Sequence, residues 1–496
     1  MGVIRKQSIY SAILVYIGFA IGAFNILVLF PKFLTPEQFG LTRLVIDLGL
    51  LFSTLCVMGA TFVQTKFFPF YKSYLPKEKN DLTAITLIMS IIGCVLVLSV
   101  ISFLKPEIIR KFGARSPLFV EYFYLIYPTT IALTFILLFE SYAISLKRTV
   151  IVTISKEILF RVVTTVLIIA YVLKIIGVKS FFNLYACVYI PAVLLMLIYL
   201  VRKGNLRFHF TVSSVTQRMY KRMLSFGIFI FMGNLLNVLS RTSDIIIISS
   251  QAGLKQTAVF VIATYLVTMI ELPQRGLVAI TTPFISEAWK DKDIKRILSL
   301  YQKTSLNLLL VGLAIAGCIF LNLDNCIRYF GPTYQLIKPI CIIIGVAKLI
   351  DLGTGMNSQI LLLSKYWKVD FTTNVVFVFL AIPLNYILIK HYGVIGSAYA
   401  NFIALGFFNL IRFIYIFVLF KLQPFTKETL YLIAIAIASI LAIHFIPFMV
   451  NVYIDAVIRA ILYLILFIPL ITIVRISEDV NTLIFGAITK VKAFFL

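Results

Sequence analysis

Inside long apolar runs of this 496-residue chain, charged and amide side chains recur three or four residues apart. Residues at that spacing share one face of an α-helix. The run 223–248 carries Asn234, Asn237, Arg241 and Asp244. The run 259–286 carries Thr264, Thr268, Glu271 and Arg275, with Thr282 a heptad further on. The run 41–64 carries Arg43 and Asp47, then Thr54 and Thr61. A milder stripe of Ser11, Gly18, Gly22 and Asn25 marks the run 8–30. Three of these faces place an arginine and an acid within one turn. A guanidinium is a planar fork of donors that binds phosphate oxygens in pairs, so these faces suit an anionic, oxygen-rich group, with amides and hydroxyls beside it for neutral polar groups. Self-neutralising pairs packed against other helices would account for any single stripe. A shared water-filled cavity accounts for all four together, lined by Arg43, Arg241, Arg275, Asn25, Asn234 and Asn237.

An ionisable side chain in hydrocarbon costs about 2.5–3.5 kcal/mol on insertion scales, so each needs a partner or an aqueous surrounding. Asp47, Asp244 and Glu271 are the acids placed to take up a proton or Na+ and couple it to movement. Lys348 and Asp351 are expected to pair, just before the stretch DLGTGMNSQ (351–359). Two glycines there can unwind a helix, as at transporter binding sites; Lys348 is either a cavity residue or half of a structural pair. Lys156, Glu157 and Arg161 sit near the start of the run 152–173, where a lysine can reach the interface. Lys303, Lys338, Arg412 and Arg459 are expected to be interfacial anchors, with Asp455 four residues before Arg459.

Catalytic constellations are missing. No GxxxxGK[ST] loop, GxSxG elbow or HExxH pair occurs, so neither an enzyme nor a bound cofactor is expected. The six cysteines form no CxxC and no regular set, and His209, His391 and His444 are scattered. Disulfides and metal sites are therefore not expected.

The elements that must carry these stripes follow from composition. The chain is 61% hydrophobic and 13% charged, against roughly 45–50% and about 25% for soluble domains. With about 20 apolar residues needed per crossing, fourteen spans are predicted: 8–30, 41–64, 83–104, 122–145, 152–173, 181–201, 223–248, 259–286, 299–323, 335–363, 371–389, 396–420, 429–447 and 456–474. The net charge of +25 would suggest a nucleic-acid partner in a soluble protein. Here it divides by side: 25 Lys and Arg fall on the side of both termini and 10 on the other. That bias puts both termini in the cytoplasm, and the basic inner face suits anionic lipid headgroups rather than nucleic acid. The cation-rich segment 202–222 is read as a linker. It separates an N-terminal lobe (1–201) from a C-terminal lobe (223–420), leaving spans 13 and 14 and a tail (421–496) as an appendage. The expectation is an all-α integral membrane protein of about fourteen helices, in two pseudo-symmetric six-helix lobes plus two. The tail 477–496 is expected to lie as a helix on the inner surface.

Three stretches resemble bacterial polysaccharide flippases. LTPEQFG (34–40) resembles their L-[ST]-P-x-x-[FY]-G connection between spans 1 and 2. ELPQRGLVAITTPFISEAW (271–289) is similar to their span 8 and the loop after it. PLNYILIKHYGVIGSAYAN (383–401) resembles their N-x-x-L-I-P-x-x-G-x-x-G-A-A-x-A hairpin, departing at Lys390 and Ser397. The family is the O-antigen and capsule (Wzx-type) flippases of the multidrug/oligosaccharidyl-lipid/polysaccharide exporter superfamily. The resemblance implies a cavity lined largely by spans 1, 2, 7 and 8, and as substrate an undecaprenyl-pyrophosphate-linked oligosaccharide moved from inner to outer leaflet. It also implies a monomer in the bacterial inner membrane, with polysaccharide assembly proteins as associates. Arg43, Arg241 and Arg275 are assigned by their place in the stripes, since no family motif fixes them. A cation-coupled drug exporter of the same superfamily is the alternative, and a membrane O-antigen polymerase or ligase a more distant one.

Overall fold

A computed structural model describes residues 2–202, 209–478 and 480–482. Among these the chain is helical, with short turns between helices and no strand. Twelve helices are long and apolar enough to cross a membrane, and they account for every predicted span except 5 and 10. Span 5 is helical over 149–172 but opens into a π turn at Ile154–Leu159, where Lys156 and Glu157 lie. Span 10 ends at Gly353 and restarts at Asn357, so it unwinds at the glycine-containing stretch. The surface helix expected for the tail lies outside the described residues beyond Thr482, and part of the linker, 203–208, lies outside them as well.

The LTPEQFG stretch shows how sequence sets a helix start. Thr35 Oγ1 accepts from the Gln38 backbone N–H, and the Gln38 side chain accepts from the Thr35 N–H, with Pro36 at the first helical position. This reciprocal capping satisfies donors that the first turn leaves free. Gly40 then faces a neighbouring backbone: a Cβ there would collide with the Leu254 carbonyl.

The helices gather into two compact units, 1–261 and 262–496. In the first, Pro36–Val57 ends where Met58 and Gly59 both take positive φ, and a separate helix, Ala60–Tyr74, follows. Thr61, expected to continue the stripe of Arg43, Asp47 and Thr54, therefore sits on a different helix. Span 7 belongs to a 38-residue helix, Ser214–Gln251. Its start packs into the first unit, with Val215 and Met223 in one buried cluster with Phe67, Tyr71, Tyr142 and Met196.

In the second unit, spans 13 and 14 pack on span 9, where the Tyr463 hydroxyl donates to the Leu313 carbonyl at 3.0 Å. Arg459 and Arg412 correct the expectation of interfacial anchors. The Arg459 side chain is 2% exposed and bonds Asp455 at 2.7 Å and the Ile443 and Ile446 carbonyls, while its guanidinium lies over Phe448. Arg412 is buried against Asp370 at 2.5 Å and over the Phe408 ring. A carboxylate, carbonyls and an aromatic face replace the water that a snorkelling side chain would seek, so burial within protein became the alternative to the interface. An apolar groove of about 1040 Å³ lies between spans 9, 10 and 13, lined by residues such as Leu313, Ile342, Val346 and Ile433.

Candidate functional site

In the first unit, span 2 pairs Arg43 with Asp47 at 3.4 Å across one turn. Arg43 is 43% exposed, whereas Asp47 is 5% exposed. One carboxylate oxygen of Asp47 is buried without a hydrogen-bond partner. Span 6 contributes Tyr185 and Tyr189, both within electrostatic reach of Arg43 and Asp47. Tyr189 is also within reach of Arg161 and Glu157 on span 5. Those two pair at 2.8 Å, and Lys156 bonds both oxygens of Glu140 at 3.0 Å. The span 5 charges thus close on protein partners. A polar cluster links spans 2, 5 and 6. The tyrosines were not read from the sequence: Tyr185 lies in the last turn of the helix Val178–Ala186 and Tyr189 in the turn before the helix Ile190–Arg202, so their four-residue spacing marks no continuous helix face.

Asn25 is buried at the π turn of span 1, at Asn25–Leu29. Its amide donates to the Arg161 carbonyl at 2.9 Å and accepts from Thr165 at 2.7 Å. The geometry makes it a pin between spans 1 and 5. On span 7, Asn237 and Arg241 are exposed, and Asn234 and Asp244 are half-buried. The three- and four-residue spacing therefore gives span 7 a polar face with its guanidinium open.

In the second unit, Arg275 is exposed on span 8. Glu271, one turn earlier, forms an ion pair with Lys348 of span 10, both side chains about a quarter exposed. The expected Lys348–Asp351 pairing gives way to this cross-helix one. Asp351 instead accepts from the Asn409 amide at 2.8 Å. Asn409 in turn accepts from Thr354 and Asn357, at 3.1 and 3.0 Å, so a side chain of span 12 fastens the broken stretch of span 10. Ser358 and Arg412 share the Asp370 carboxylate nearby. Asn409 and Arg412 were also missed as partners, though they lie three apart on one face of span 12.

Among the described residues, twelve apolar helices make the chain a multi-pass membrane protein. A profile of the polysaccharide biosynthesis protein family matches residues 5–289. The chain belongs to that family. Its fold is that of Lipid II flippase MurJ in an inward closed conformation: TM-score 0.73, 16% identity, 94% of this chain and 98% of that chain covered. It also matches a multidrug resistance MATE family transporter of the MOP superfamily in an inward-facing conformation. There the TM-score is 0.62 at 16% identity, covering 83% of this chain and 96% of that one. A crystal structure of MATE in the bent conformation matches at TM-score 0.51 and 14% identity, over 84% and 95%. At such identities the likeness is one of fold. No curated protein matches.

Proposed function

We propose that the chain is a transporter that flips an undecaprenyl-pyrophosphate-linked oligosaccharide from the inner to the outer leaflet of a bacterial cytoplasmic membrane. The reading places it in the synthesis of a surface polysaccharide, O-antigen or capsule. Two lobes alternate access to a central cavity, the protein acts as a monomer beside polysaccharide assembly proteins, and both termini are cytoplasmic. The observation that carries this reading is the set of three arginines, Arg43, Arg241 and Arg275, left with exposed or partly exposed side chains on membrane-spanning helices. Exposed guanidiniums on apolar helices are costly unless they meet water or an anion, and pyrophosphate is the anion a polysaccharide lipid carries. Membership of the polysaccharide biosynthesis family supports that substrate class over a drug.

Asp47 is the acid best fitted to couple the cycle to a proton. Glu271 is already neutralised by Lys348, whereas Asp47 keeps one buried oxygen unpartnered beside a long, flexible cation that can turn to the pyrophosphate. The test is a proteoliposome assay following outward movement of a labelled prenyl-pyrophosphate oligosaccharide, with and without a proton or Na+ gradient. Arg241→Ala with Arg275→Ala should lower the rate by about tenfold or more, since a hydrogen bond to a charged group contributes about 1.5–3 kcal/mol. Membrane insertion should be unchanged. No movement of the lipid by the wild type under either gradient rejects the flippase reading, and movement of organic cations instead supports the exporter.

A further inference from the structure

Span 7 is tied to spans 2 and 3 at both ends, by contacts of different chemistry. At its start, Ser213 caps the helix and donates its own backbone N–H to Asp81 Oδ2 at 2.8 Å. The Thr216 hydroxyl donates to the same oxygen at 2.7 Å, which leaves the Tyr71 hydroxyl to donate to Thr216 Oγ1 at 2.6 Å. Burial pushes the Tyr71 hydroxyl up to about 12, so it remains a donor through the physiological range. Asp81 is 1% exposed, and its second oxygen is buried with no partner. Around this chain of hydrogen bonds, Lys66 sits over the Phe226 ring at 3.6 Å, and Gly59, at φ +80°, packs against Gly227. At the opposite end the Ser116 hydroxyl donates to the Ser249 carbonyl at 2.6 Å, and Gly40 and Leu254 meet backbone to backbone. That end is held by a buried serine hydroxyl on a main-chain carbonyl and, just beyond the helix, by the close backbone approach of Gly40 to Leu254, the first residue of the helix carrying span 8. At the first end the apolar packing of Val215 and Met223 is joined by hydrogen bonds that converge on one carboxylate, Asp81.

We propose that Asp81, Thr216, Tyr71 and Ser213 form a polar latch between the 58–82 segment and the start of span 7, and that this latch opens to admit the cargo's headgroup. The proposal rests on the flippase reading for what passes through, but not for the opening itself. Charge supports it. Lys66, Lys72 and Lys79 on one side and Arg218, Lys221 and Arg222 on the other are exposed, against the acids Asp81 and Glu78. With Asp81 disengaged, two cationic lips repel each other and face an anionic headgroup. The Lys/Arg bias places this end of span 7 at the cytoplasmic face, where a lipid-linked sugar would load.

Two measurements on the full-length chain in proteoliposomes test it. The first introduces Val63→Cys, at a buried position packed against Gly227, and follows its labelling by a membrane-impermeant maleimide. Asp81→Ala should speed that labelling about tenfold, and Tyr71→Phe, too mild to unfold the protein, should act in the same direction to a smaller extent. Unchanged labelling in both variants overturns the latch whether or not the protein moves any lipid. The second joins Asp81→Cys and Ser213→Cys by copper-phenanthroline oxidation. Locking should abolish flipping of an undecaprenyl-pyrophosphate oligosaccharide, and reductant should restore it. A locked protein that flips at the unlocked rate overturns the latch and leaves the flippase reading standing.

Discussion

Buried charge in this protein is neutralised both by near neighbours, as in Asp455 with Arg459, and by distant side chains, as in Arg412 with Asp370. Asp455 shows what such pairing is worth. It accepts from the Met449 N–H, the Asn325 amide and Arg459, so it neutralises a guanidinium sealed inside the second unit. Asp455→Ala leaves Arg459 buried and unpaired, and should cost about 3–5 kcal/mol, readable as a loss of thermal stability in detergent. Adding Arg459→Met removes the orphaned charge and should recover a large part of that loss. If the double variant is no more stable than the single, the pair is not the source of the effect. The i, i+4 spacing of Asp455 and Arg459 was legible in the sequence, as was that of Arg43 and Asp47. Which spacing pairs were sealed and which were left open was not. For Asp455 the deciding partner, Asn325, comes from another helix.

At the scale of elements, span 10 shows how a predicted weak point is built. Glycines mark 351–359 as breakable, and the chain breaks at 354–356, with Gly355 at φ +60°. What holds the broken ends is the Asp351, Asn409, Thr354 and Asn357 network, together with the Ser305 hydroxyl on the Gly353 carbonyl. A Cβ at Gly355 would lie 3.1 Å from Ser305 and would sit in a left-handed backbone conformation. Gly355→Ala should therefore destabilise the fold by about 1–2 kcal/mol. Gly113→Ala, where a Cβ meets nothing within 4 Å, should leave stability unchanged to about 0.5 kcal/mol. Equal thermal shifts for the two would show that the left-handed site at Gly355 is not under this constraint. Span 5 carries the opposite lesson. Its charges were legible, but the π turn that presents Lys156 and Glu157 to span 4 and span 1 is set by packing, because no residue type marks a π turn in sequence.

The Lys/Arg asymmetry of the whole molecule predicts its orientation, with both termini in the cytoplasm. Cysteines placed at Lys292 and Lys255, both exposed in the structure, should react with an impermeant maleimide from opposite faces in intact cells and inverted vesicles. Lys292 should react from the cytoplasm and Lys255 from outside. Labelling of both from one face would overturn the assigned topology. The sequence by itself determined that the chain is helical, that it crosses the membrane many times, and that span 10 breaks at its glycines. These properties depend on hydropathy summed over about 20 residues and on the glycines of one short stretch, 351–359. It also placed Arg43, Arg241 and Arg275 on membrane-spanning helices. Only the tertiary structure decided that Glu271 belongs to Lys348, that Asn25 pins span 5, that Arg412 and Arg459 are interior, and that span 7 starts on Asp81. Each of these depends on contacts between helices, whether consecutive, as for Arg412 and Arg459, or far apart in the chain, as for Glu271 and Asn25. A helix face records which side chains it presents, but the partner it meets depends on how the helices pack together.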